Sequence, residues 1–64
     1  MIIETSANQF YRVTDAGPGL DHCWMGVPVK LAKGEWVLTA KAAKKPQGKS
    51  GELVRKAGCR VVQS

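Results

Sequence analysis

His22 is the only histidine of the chain, so acid–base or nucleophilic chemistry would have to be arranged around it. A catalytic triad needs a nucleophile and an orienting carboxylate on the same side of that imidazole. Cys23 and Asp21 are its sequence neighbours, but adjacent residues of a strand point to opposite faces. The remaining thiol, Cys59, would have to arrive by strand pairing, and a small β domain has no deep cleft to shape a substrate site. A structural zinc site wants four ligands, whereas the soft or borderline donors here are Cys23, Cys59 and His22, with no CxxC or HxxxH spacing. The segment QGKSG (47–51) holds a Gly-Lys-Ser triplet, but Ala43 stands where a phosphate-binding loop needs its first glycine. Glu4, Asp15, Asp21, Glu35 and Glu52 are scattered singly, so no general acid–base pair emerges. We expect no enzymatic activity, no metal and no cofactor.

Binding residues are easier to name. Trp24 and Trp36 fall on successive strand segments, and Phe10 adjoins Tyr11. Two adjacent aromatics on a strand cannot both face one core, so one of them is expected outside, with Tyr11 favoured because its hydroxyl tolerates water. Trp24 and Trp36 either fill the core or form a platform for unpaired bases or a proline-rich peptide. Around them the charge is uneven. Residues 1–29 lean acidic, while residues 30–64 hold nine of the ten Lys and Arg and only Glu35 and Glu52 in opposition, within a net charge of +5. Such asymmetry speaks of partners rather than of fold. The candidate binding set is Tyr11, Trp36, Lys41, Lys44, Lys45, Lys49, Arg55, Lys56 and Arg60.

The elements that must position these residues are strands. At 64 residues the chain forms one domain, residues 1–64, and buries only about 60% of the surface its unfolded form exposes. A hydrophobic content of 44% argues against global disorder. No apolar run approaches the ~20 residues that cross a bilayer. The start, MIIETSANQF, lacks a positive n-region, so a reducing cytoplasm is the expected address, with the cysteines reduced.

Residues 9–14 (QFYRVT) are β-branched and aromatic and read as a strand, followed by the turn-rich DAGPGLD. In residues 22–32, Val27, Val29 and Leu31 alternate with Pro28 and Lys30, which predicts one buried and one wet face. Pro28 cannot donate to a ladder and marks a sheet edge, or a bulge near Gly26. Ala32-Lys33-Gly34 suits a three-residue hairpin loop leading to a strand at 35–40. Lys56-Ala57-Gly58 repeats that grammar between ELVR and CRVVQ, suggesting a second hairpin with Leu53, Cys59 and Val61 inward. Its rival is a short strand, a single 3₁₀ turn and a last strand. Residues 43–51 (AKKPQGKSG) have no large apolar side chain and are expected to be a flexible basic loop, after a helical turn at 39–44. The expected fold is all-β: a small SH3-like five-stranded barrel or a half-open antiparallel sheet, with an OB-type barrel less favoured at this size.

The stretches GLDHCWMGVPVKL (19–31), GEWVL (34–38) and LVRKAGCRVV (53–62) resemble short uncharacterised proteins encoded in bacterial and prophage genomes. That resemblance implies a cytosolic, phage-associated setting and carries over no functional residues. Two functions remain in view. One is a protein-interaction or self-associating module, binding an acidic protein or a second copy through an apolar patch near Phe10, Tyr11 and the Pro28 edge. The other is a single-stranded nucleic-acid-binding domain, with lysines on phosphates and Trp36 or Tyr11 stacked on a base. Neither a membrane nor a small-molecule substrate is indicated.

Overall fold

The computed structural model describes residues 1–15, 17, 19–44 and 51–64. Its elements, in chain order, are β1 (Ile2–Ser6), β2 (Gln9–Asp15), β3 (Cys23–Ala32), β4 (Glu35–Leu38), a one-turn helix α1 (Ala40–Ala43), β5 (Glu52–Arg55) and β6 (Arg60–Gln63). The strands form one antiparallel sheet in the order β4-β3-β2-β1-β6, with β5 paired to β3. The fold is mostly β, as expected, and its sheet is open, with β4, β5 and β6 at its edges, which matches the open-sheet alternative rather than a closed barrel. It has six strands, not five; β1 is the addition.

β3 organises the sheet. One of its edges pairs continuously with β2, from Phe10↔Val29 to Asp15↔Trp24. The other edge is shared: Cys23 to Gly26 pair with β5, and Val29 to Ala32 pair with β4. Pro28 sits in the gap between these two partners. Its carbonyl points to that side, where it accepts from Thr39 N–H at 3.4 Å. A residue with an N–H here would aim an extra donor into the gap, so proline suits the position. The sequence-based edge assignment therefore holds in a restricted form: the edge is two residues long and lies within a central strand.

Register sorts the side chains onto two faces. Ile3, Tyr11, Val13, Trp24, Gly26, Pro28 and Val54 share one, here called the Ile3 face. Ile2, Phe10, Arg12, Met25, Val27, Val29, Leu31, Trp36 and Leu53 share the other, the Trp36 face. Ile3, Val13 and Val54 form the buried cluster on the first, with Tyr11, Trp24 and Cys59 packed against it. Gly26 makes this cluster fit: a Cβ there would lie 2.9 Å from Val54 Cγ2 and 3.1 Å from Val13 Cγ1.

The sheet coils toward both faces. β4 and β6 stand four strand spacings apart, about 19 Å in a flat sheet. Yet Trp36 Nε1 donates to Gln63 Oε1 at 2.6 Å, and the Trp36 ring packs on Phe10 with centroids 5.1 Å apart. The edges must therefore approach over the Trp36 face. β5 and β6 are equally far apart in pairing order, but only residues 56–59 join them, and Cys59 packs on the opposite face. The sheet bends over the Ile3 face there. Strong twist allows both bends, because diagonal corners of a twisted sheet rise to opposite sides.

Several sequence expectations change. β5 and β6 do not form a hairpin; β5 pairs with β3 and β6 with β1. The rival reading, two strands joined by a turn, describes the chain, with Cys59 N–H donating to Lys56 O at 3.3 Å. Of the three residues expected inward, Leu53 is 54% and Val61 50% exposed, while Cys59 is half-buried and Val54 takes the core position. Leu31 is 60% exposed, because four-residue β4 ends the sheet beside it. The β3–β4 loop has two residues, Lys33 and Gly34, both at positive φ (51° and 80°), as a tight primed turn requires. The helical turn is present as α1, capped by Thr39, whose Oγ1 accepts from Ala42 N–H at 3.1 Å. Of the expected flexible loop, residues 45–50 lie outside the described residues.

Gly26→Ala is expected to destabilise the fold by about 1–3 kcal/mol through overpacking. Trp36→Phe, which keeps the ring contact and removes the Gln63 bond, should cost about 1 kcal/mol. Urea unfolding followed by circular dichroism measures both; unchanged midpoints would contradict the packing described.

Candidate functional site

Of the nine candidate binding residues, the seven that are described are dispersed. Tyr11 lies half-buried on the Ile3 face and Trp36 half-buried on the Trp36 face, so the two cannot line one groove. Neither Phe10 nor Tyr11 is fully outside, because both faces of the sheet carry partial apolar cover. Lys41 is on α1 and Lys44 caps its end; Lys45 and Lys49 lie outside the described residues. Lys56 sits with its Nζ 5.4 Å from the Trp24 ring centroid, a cation–π distance. Arg60 is engaged at home: its Nη2 and Nε lie 2.6 and 3.2 Å from Glu4 Oε1. That guanidinium holds the Glu4 carboxyl below its ordinary range. Arg55 alone of this set is an exposed cation on the Trp36 face with no ion-pair partner among the described residues.

Two surfaces remain. The first is a cleft of about 430 Å³ on the Ile3 face, between the β1–β2 turn and α1, with Tyr11, Pro28, Thr39, Lys41 and Glu52 among its lining residues. Its central polar groups satisfy one another: the Tyr11 hydroxyl donates to Glu52 Oε1 at 3.0 Å. Partial burial, followed by this bond and the Glu52 charge, raises the Tyr11 pKa above its ordinary value. Among the described lining residues no thiol or imidazole is present to act as nucleophile or base. Among the described residues no three His, Cys, Asp or Glu side chains are grouped to hold a metal. The Cys59 thiol donates to Arg55 O at 3.0 Å, and exposed His22 lies in the turn before β3. Both thiols are free, and Cys23 is buried on the same side of the sheet as its cross-strand neighbour Arg55.

The second surface is the uncovered part of the Trp36 face. Leu31 (60% exposed), Leu53 (54%), Leu38 (37%) and Met25 (36%) all point to this side. Exposed apolar groups scattered singly need no explanation, but these share one face along β3 and its two partners. Arg12, opposite Val27, and Arg55, opposite Cys23, flank them and are exposed. Among the described strand residues, the one carboxylate on this face is Glu4, already bonded to Arg60. Asp15, Glu35 and Glu52 all fall on the Ile3 face by register. Apart from the paired Glu4, the sheet thus places the exposed apolar groups with arginine on one side and the strand carboxylates on the other.

Sequence reasoning missed this surface, placing the apolar patch near Phe10 and Tyr11. Leu53 was assigned inward and Arg12 passed over. The available signal was the parity of β5, since Leu53 and Val54 cannot both face the core.

Comparison with family models, characterised proteins and solved structures finds no match.

The raised Tyr11 pKa has a pH consequence. Between the unfolded value, 10.0 for an ordinary tyrosine, and the higher folded value, the folded state holds more protons than the unfolded state. Stability therefore falls as pH rises through that window. Tyr11→Phe should flatten this alkaline loss in urea titrations run on either side of pH 10. An identical alkaline slope in the variant would show that Tyr11 is not the responsible group.

Proposed function

We propose that this chain is a non-enzymatic protein-interaction module that binds an acidic protein partner through the uncovered Trp36 face. One observation carries the reading: Leu31, Leu38, Met25 and Leu53 are exposed on the face that bears Arg12 and Arg55 and, among the described strand residues, has no free carboxylate. Apolar anchors give such an interface its affinity, and a rim of like charge selects partners of opposite charge. The net charge of +5 works in the same direction.

A second copy is a weaker occupant. A two-fold face-to-face dimer would bring Arg12 and Arg55 of both chains together without acidic residues to meet them. A nucleic-acid platform has less support than it had in composition, since Tyr11 and Trp36 occupy opposite faces and the Trp36 indole N–H is already bonded. We read the coiled sheet as a half-open relative of the SH3-like barrel. The long β3 shared by two strands and the short β5–β6 connection support that assignment. The setting we propose is a phage-type accessory role in the cytoplasm. The described residues include no helix long and apolar enough to cross a membrane.

Photo-crosslinking in cells tests the reading. A benzophenone amino acid placed at Leu31 or Leu53 should yield a discrete adduct with an acidic protein. The same group at Val37, exposed on the opposite face, should not. Adducts that contain nucleic acid, a homodimer adduct, or equal labelling from Val37 would each overturn the proposal.

A further inference from the structure

We infer that the acidic partner contributes a short extended segment that pairs antiparallel with the free edge of β5, an apolar residue opposite Leu53 and a carboxylate opposite Arg55. This rests on the interaction-module reading above and adds where, and in what form, the partner engages.

The form comes from the backbone of β5. Lys56 N–H donates to His22 O at 2.9 Å, so the chain bonds toward β3 at Lys56 and, by antiparallel alternation, at Val54 and Glu52. The N–H and C=O groups of Leu53 and Arg55 therefore point away from β3. Among the described residues no strand pairs with that edge, and the group that reaches it is the Cys59 thiol, which donates to Arg55 O at 3.0 Å. Leu53 N–H, Leu53 O and Arg55 N–H remain in line. An extended segment satisfies such a row by adding a strand. The edges of β4 and β6 differ: the Trp36–Gln63 bond ties them to each other, and Arg60 of β6 is held by Glu4.

The chemistry comes from the side chains beside the row. Leu53 and Arg55 are both exposed and stand two positions apart, hence on the same Trp36 face, with Met25 beside Leu53 on β3. Glu52, the carboxylate of β5, turns to the other face, where it accepts from the Tyr11 hydroxyl at 3.0 Å. Arg55 thus faces outward with no acid beside it among the described residues. Directly opposed residues of an antiparallel pair share a face; apolar pairs and opposite charges favour the pairing and like charges oppose it.

Antiparallel pairing sets the residue opposite Arg55 two positions before the one opposite Leu53. The matching segment therefore reads acidic, any residue, apolar from its N-terminal end. Its apolar residue exchanges both backbone hydrogen bonds with Leu53, and its acidic residue accepts from Arg55 N–H. A second copy of β5, paired about Val54, would set each Arg55 against a leucine and supply no acid.

The test uses the full ¹⁵N-labelled chain and synthetic extended peptides of about eight residues. One carries glutamate and leucine at the two pairing positions with threonine elsewhere; a second has lysine in place of the glutamate. At about millimolar concentration the glutamate peptide should shift the amides of Leu53 and Arg55 and slow their hydrogen exchange at least about tenfold. N-methylation of the peptide leucine, whose N–H meets Leu53 O, should abolish both effects. N-methylation of either neighbouring residue, whose N–H points away, should not. Arg55→Glu should reverse the preference toward the lysine peptide, a result that loss of folding does not produce. No shift with the glutamate peptide, equal binding of both peptides, or indifference to the position of the methyl group would each overturn the inference. Shifts centred on Trp36 and Leu38 of β4, or a dimer paired through β5, would also overturn it. Crosslinks from Leu53 to an acidic protein, without pairing by the peptide, would remove the added strand alone and leave the interaction-module reading standing.

Discussion

The structure depends on a single sharing arrangement. A ten-residue strand, β3, gives one whole edge to β2 and divides the other between β5 and β4. Pro28 stands at the division, where its missing donor leaves nothing unsatisfied on the vacated side. Because β4 and β5 follow one another along β3 and do not pair together, each can bend with its own end of the sheet. The β5 end closes over Ile3, Val13 and Val54, and the β4 end carries Trp36 across Phe10 to Gln63. A chain too short for a large core thereby hides apolar surface on both sides of one sheet. Neither side is completely covered, and the uncovered remainder of the Trp36 face is the surface proposed to meet a partner.

Charge follows the same division. Period-two alternation places Asp15, Glu35 and Glu52 on the Ile3 face and Arg12, Arg55 and Arg60 on the Trp36 face. One arginine of the second group is neutralised internally by Glu4, and two remain exposed beside the leucines. Exposed apolar groups flanked by a single sign of charge favour partners of opposite sign and discourage association with copies of the same chain. That contrast, more than the overall basic composition, gives the surface its direction.

Much of the strand pattern was legible in sequence, for identifiable reasons. QFYRVT and CWMGVPVKLA are rich in β-branched and aromatic residues, and turn residues bound them, so β2 and β3 emerge within a residue or two of their ends. Thr39 ahead of Ala-Lys-Ala-Ala marked the helical turn. β1 was missed because Ile2 and Ile3 are followed by polar residues; its burial comes from β2 and β6 on either side, which a local window does not see. The β3–β4 loop was read as three residues rather than two because lysine is an unusual occupant of positive φ. The candidate site was largely illegible. Composition shows lysines near aromatics, but face membership is set by register, and a shift of one residue reverses it. ELVR offers two adjacent apolar residues, and its pairing with β3 rather than β6 decides that Val54 goes in and Leu53 stays out.

The coiling of one sheet toward both faces is most exposed to test at the link between β4 and β6. A nuclear Overhauser spectrum of the native chain reads that link directly through the Trp36 indole N–H. Cross-peaks from this proton to the Gln63 side chain are expected, with the Trp36 ring also close to Phe10. Cross-peaks to Phe10 without any to Gln63, together with rapid solvent exchange of the indole proton, would describe a flatter sheet and contradict it.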